Sequence, residues 1–122
     1  MARGFARVDN PGNLISSQGV TGMAKALSDG RPIPFGAYCF KLEFTPLAVV
    51  ACSVAHPDDN RYGPFGPILY TAGPNISGIL TTDDNGSPVE CPAGFQDAAV
   101  IGRVPSGVGL GIAYGGFYVL FE

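Results

Sequence analysis

The chain has 122 residues, of which 46% are hydrophobic and only 14% charged, with a formal net charge of −3. That length is one domain's worth, so a single domain over residues 1–122 is expected, large enough to fold without a metal or an obligatory crosslink. Its seven basic residues, Arg3, Arg7, Lys25, Arg31, Lys41, Arg61 and Arg103, are dispersed, which argues against nucleic-acid binding and against basic-cluster attachment to membranes.

Eighteen Gly and eleven Pro accompany eight Phe and five Tyr, a mixture that reads as short strands joined by tight turns around an aromatic core. In chain order, strands are expected at residues 4–8 and 13–17, with Asn10-Pro11-Gly12 turning between them. Only residues 21–27 have a helix-forming composition, and they are too few to hold a helix alone.

The segment Ala37-Tyr-Cys-Phe-Lys-Leu-Glu-Phe44 alternates, with Tyr38, Phe40, Leu42 and Phe44 on one face and Cys39, Lys41 and Glu43 on the other. Thr45-Pro46 supplies a turn, and residues 49–55 read as a second strand, so the two together predict an antiparallel hairpin. Residues 57–67, rich in Gly, Pro, Asp and Asn, are expected to form an exposed loop. Strands follow at 68–71, 76–82, 97–104 and 116–121, separated by Asp83-Asp84-Asn85-Gly86, Pro92-Ala93-Gly94 and Pro105-Ser106-Gly107. The charge-free stretch from Val104 to Phe121 is as long as a membrane span, but its glycines make it strands and turns, and no membrane insertion is expected.

Cys39, Cys52 and Cys91 have no C-x-x-C spacing, so zinc and thioredoxin-type readings fail. With Phe44 opposite Val49, Cys39 and Cys52 become diagonal neighbours roughly 7–8 Å apart, too far for an unstrained bridge. Cys91 is then the partner of Cys39 if any disulfide forms, and three reduced thiols are the alternative.

No catalytic constellation emerges. His56 is the single histidine and has no nucleophile-elbow motif to serve. Asp58-Asp59-Asn60 and Asp83-Asp84-Asn85 carry oxygen ligands but miss the EF-hand pattern, and turn chemistry accounts for both. The expectation is a protein that is not an enzyme, with no cofactor and no metal. Recognition is expected instead from the 57–67 loop, through Arg61 and Tyr62 with Asp58, Asp59 and Asn60.

An ordinary domain is about 25% charged, so a surface this poor in charge implies a partner that covers part of it. A monomer with an uncharged but polar surface is the alternative. The closing Phe117-Tyr118-Val119-Leu120-Phe121 is apolar on both faces, which places it inside a sandwich or at a subunit interface. A homo-oligomer with contacts through Phe117, Tyr118, Val119, Leu120 and Phe121 is the expectation.

Strands of this number and spacing predict an all-β fold, an antiparallel β-sandwich. The runs Gly4-Phe-Ala-Arg-Val8, Leu14-Ile-Ser-Ser-Gln-Gly-Val20, Gly36-Ala-Tyr-Cys-Phe40, Val49-Val-Ala51, Cys91-Pro-Ala-Gly94 and Phe117-Tyr-Val-Leu-Phe121 together resemble the globular heads of actinobacterial collagen-like surface proteins and of phage tail-fibre or minor tail proteins. The resemblance implies a jelly-roll-like sandwich, similar to complement and tumour-necrosis-factor heads. It also implies assembly as a trimer, partners among other virion or fibre proteins, and contact with a glycan or protein on a host surface. No Gly-X-Y repeat and no apolar leader occur in the sequence, which makes a virion protein the first expectation. The head of a bacterial surface adhesin, extracellular, is the second.

Overall fold

The computed structural model describes residues 2–54, 68–106, 109–112 and 115–122, with the backbone alone at 104–106 and 109–111. Among these residues the chain is all β, without a helix. The strands are β1 Gly4–Val8, β2 Leu14–Gln18, β3 Val20–Lys25, β4 Leu27–Ser28, β5 Arg31–Pro32, β6 Ala37–Leu42, β7 Val49–Ser53, β8 Ile68–Ala72, β9 Ile79–Thr82, β10 Pro88–Glu90, β11 Ala98–Ser106, β12 Gly109–Ile112 and β13 Phe117–Phe121. They pair antiparallel in three sheets. The first runs β2-β1-β13-β7, the second β12-β11-β6-β3 with β8 also on β11, and the third β5-β4-β10-β9.

The first and second sheets form a sandwich. Gly19, at φ 75°, turns the chain from β2 directly into β3 and so carries it from one sheet to the other. On the far side, the Thr71 hydroxyl of β8 donates to the Val49 carbonyl of β7 at 3.0 Å. Between the sheets lie Ala6, Val8, Phe117, Val119 and Phe121 from the first and Tyr38, Phe40, Leu42, Ala98 and Val100 from the second. The Tyr38 and Phe117 rings pack 5.7 Å apart. Burial pushes the Tyr38 phenol up in pKa, an effect that a hydrogen bond from the Gly36 amide at 3.3 Å partly offsets.

The third sheet covers the other face of the second. Alternation along β6 sends Tyr38, Phe40 and Leu42 to the sandwich core and Ala37 and Cys39 to a second core, and β11 divides Ala98 and Val100 from Ala99 and Ile101 in the same way. Ile33, Val89 and Cys91 close this second core from the opposite side. Residues 37–40 of β6 and 98–102 of β11 are thus buried on both faces. The C-terminal β13, expected to be covered in the same way, buries Phe117, Val119 and Phe121 but leaves Tyr118 and Leu120 nearly half exposed.

One pairing expectation is corrected. The hairpin joining residues 37–44 to 49–55 does not form: β6 pairs with β3 and β11, whereas β7 pairs with β13 from Phe117↔Ser53 to Phe121↔Val49. The aromatic rows of β6 and β13 have to meet across one core, so the chain crosses from the second sheet to the first through residues 43–48, with Pro46 fully buried in the crossing. Residues 21–27, helix-like in composition, fall largely in β3 and β4, because the edges of β6 and β10 offer hydrogen bonds that outweigh a weak local preference.

Candidate functional site

Cross-strand register brings distant parts of the sequence together on the outer face of the first sheet. Phe5 lies opposite Leu120, and Leu120 opposite Val50; in the next row Arg7 lies opposite Tyr118, and Tyr118 opposite Cys52. Residues on either side of these positions point into the core, as the alternating burial of β1 and β13 shows. Val50 is 55%, Leu120 45% and Tyr118 43% exposed, so two adjacent rows across three strands present an apolar surface to solvent.

Arg7 is the one charged residue in these rows. Its guanidinium carbon sits 5.4 Å from the centre of the Tyr118 ring, a cation–π contact that holds the ring against the sheet. At the end of the same sheet, the Arg3 guanidinium stacks on Phe44 at 4.4 Å and donates to the Thr45 carbonyl at 2.6 Å and the Glu122 carbonyl at 3.3 Å. Arg3 therefore ties Thr45 and Glu122 together beside the apolar rows.

Of the residues singled out in the sequence, Tyr118 and Leu120 belong to this face, while Phe117, Val119 and Phe121 belong to the core. Phe5, Val50 and Cys52 complete the face without having been foreseen. Alternation within residues 4–8 carried the signal for Phe5, but the register that joins it to Val50 exists only in three dimensions. Asp58, Asp59, Asn60, Arg61 and Tyr62, with His56, lie outside the described residues.

Cys39 and Cys91 are joined in a disulfide with their Cα atoms 5.8 Å apart. It fastens β6 of the second sheet to the segment just after β10 of the third. Hairpin register is not what separates Cys39 from Cys52. Cys39 faces the third sheet, and Cys52 is an exposed free thiol on the outer face of the first, on the opposite side of the molecule.

The Asp83 carboxylate serves the turn between β9 and β10. It accepts from the Ser28 hydroxyl at 2.6 Å and from the amides of Ser87 at 2.8 Å and Asn85 at 3.0 Å. The Ser28 bond and then the Ser87 amide hold its pKa below the usual aspartate value. Gly86 takes φ 82° in the same turn. The loop between the strands is residues 83–87, longer than the two-residue turn that an Asn-Gly pair favours, because Asp83 closes it through its own side chain. No family model, no curated protein and no solved structure matches the chain.

Proposed function

We propose that this chain is a non-catalytic assembly and binding module, a β-sandwich head of a virion or fibre that self-associates, as a trimer, and meets a host surface. The observation that carries the reading is the pair of apolar rows, Phe5-Leu120-Val50 and Arg7-Tyr118-Cys52, on the outer face of the first sheet. A second copy is the occupant that fits. The chain is only 14% charged, a net charge of −3 opposes association only weakly, and the rows lie on a hydrogen-bonded sheet that need not reorganise. Fully covering the exposed halves of Val50, Tyr118 and Leu120 is worth roughly 2–4 kcal/mol per subunit before the costs of association.

Sedimentation of the protein at micromolar concentration tests the reading. A trimer is expected, and Tyr118→Asp with Leu120→Asp should turn it into a monomer with an unchanged far-ultraviolet spectrum. Should the double variant fail to fold, Cys52 in the native chain gives a second measurement: its alkylation should slow as protein concentration rises, because Tyr118 and Cys52 are neighbours in one row. An unmodified protein that sediments as a monomer, with Cys52 equally reactive at all concentrations, would overturn it.

A further inference from the structure

A cleft of about 340 Å³ opens between the second and third sheets, a size within the range of small-ligand sites. Its origin is a pairing of small residues. Ala72 of β8 lies opposite Ala99 of β11, and two alanines in register leave unfilled the space that larger side chains would occupy. Ile101 extends this apolar floor toward Arg103, and Leu80 of β9 forms a wall.

Two groups at the open side give the cleft a chemical preference. Tyr70 lies opposite Ile101 and is 48% exposed, so part of its ring is free to pack against a ligand. Arg103 is two residues further along β11, a diagonal neighbour of Tyr70 within reach of a long side chain. Its Nη1 donates to the Thr82 carbonyl at 2.9 Å, which fixes the guanidinium at the cleft. That bond uses one of its five N–H donors, its charge also acts on the Asp83 carboxylate, and an Arg fork so placed suits a second carboxylate. The Thr81 hydroxyl adds a polar group, and its bond to the Thr82 carbonyl, at 3.5 Å, is long.

We propose that this cleft binds a carboxylated sugar ring, with the ring packed on Tyr70 and its carboxylate on Arg103. A ring with one flat apolar face, several hydroxyls and one negative charge matches an aromatic platform, a hydroxyl and an anchored cation together. From Ala99 to Arg103 the floor is four residue steps, about 13 Å, enough for one ring and its substituents and too short for a long acyl chain. The proposal does not rest on self-association, since the cleft and the apolar rows share no residue.

Titration of isotope-labelled protein with sodium glucuronate, followed by amide chemical shifts, tests it. Glucuronate is expected to move the resonances of Tyr70, Ala72, Ala99 and Ile101, and glucose, which lacks the charge, to bind roughly tenfold or more weakly. Arg103→Gln and Ala72→Leu, the second filling the floor, should each weaken binding by a similar factor; should Arg103→Gln lose its dispersed spectrum, Ala72→Leu and Tyr70→Ser carry the test. A glucuronate-terminated oligosaccharide that binds at least as well as the free acid would make a glycan terminus the source, and one that binds worse would make it the free sugar. No shift at tens of millimolar, equal binding of glucose, shifts confined to other residues, or tighter binding of a short peptide with a free C-terminal carboxylate would each overturn the proposal.

Discussion

Phe40 of β6 and Phe121 of β13 meet edge to face with ring centroids 5.3 Å apart, and both side chains are fully buried. This contact joins the second sheet to the first at the centre of the sandwich, between residues 81 positions apart in the chain. Edge-to-face packing adds to simple burial, because the positive ring edge points at the negative face of its neighbour. Phe40→Ala or Phe121→Ala should each cost about 3–5 kcal/mol of unfolding free energy, measured as a lowered denaturant midpoint. The double variant should cost less than the sum of the two, since the pair contact is lost only once. Strict additivity would mean that the rings do not interact.

The Cys39–Cys91 bridge closes a long loop, its ends 52 positions apart in the chain, and it lies under the third sheet, the layer with the shortest strands. Chain-entropy reasoning assigns such a loop about 4 kcal/mol, an upper figure for what it delivers. Cys39→Ser with Cys91→Ser is expected to destabilise the protein by roughly 2–4 kcal/mol, whereas Cys52→Ser should be close to neutral because that side chain is exposed. Denaturation with and without reductant, together with mass mapping of the unreduced protein, checks both statements. A midpoint unmoved by reductant would show that the third sheet does not need its staple.

Asp83 provides the pH dependence. Its pKa is depressed in the folded state, first by the Ser28 hydroxyl, then by the Ser87 amide. The stability it contributes is therefore complete above the ordinary aspartate range, where the unfolded carboxyl is also ionised, and is lost as pH falls through the lower folded value. Carboxyl-detected titration should give Asp83 a midpoint below that of an aspartate in a short peptide. Ser28→Ala should move the midpoint upward, because it removes the largest of the depressing bonds. An unchanged midpoint in Ser28→Ala would assign the depression to the turn amides alone.

Much of the all-β character was legible in local pattern. The alternation of Gly4–Val8, the apolar inward positions of Phe117–Phe121 and the aromatic spacing of Tyr38, Phe40 and Leu42 each repeat with a period of two, which backbone pleating turns directly into faces. Turn chemistry marked Gly86 and Gly12, both at positive φ. Gly12 also shows why composition underestimates such a position: a Cβ there would lie 2.6 Å from the Tyr38 hydroxyl oxygen, a contact made by a residue far along the chain.

What periodicity does not encode is which strand lies beside which. Residues 37–42 and 49–53 look like a hairpin because they are close in sequence and similar in pattern, yet the aromatic rows of β6 and β13 are satisfied only by facing each other across a core, which sends β7 to the other sheet. The same pairing creates the candidate face, since Phe5, Leu120 and Val50 share a row only through the register of β1, β13 and β7. The pairing of β8 with β11 creates the cleft, by setting Ala72 opposite Ala99. The sequence by itself determined that strands would form and which side of each would be apolar, because those are properties of neighbouring residues. The tertiary structure alone decided the pairing, the third sheet and both surfaces, because long-range pairing is chosen by the burial of the whole chain rather than by any segment of it.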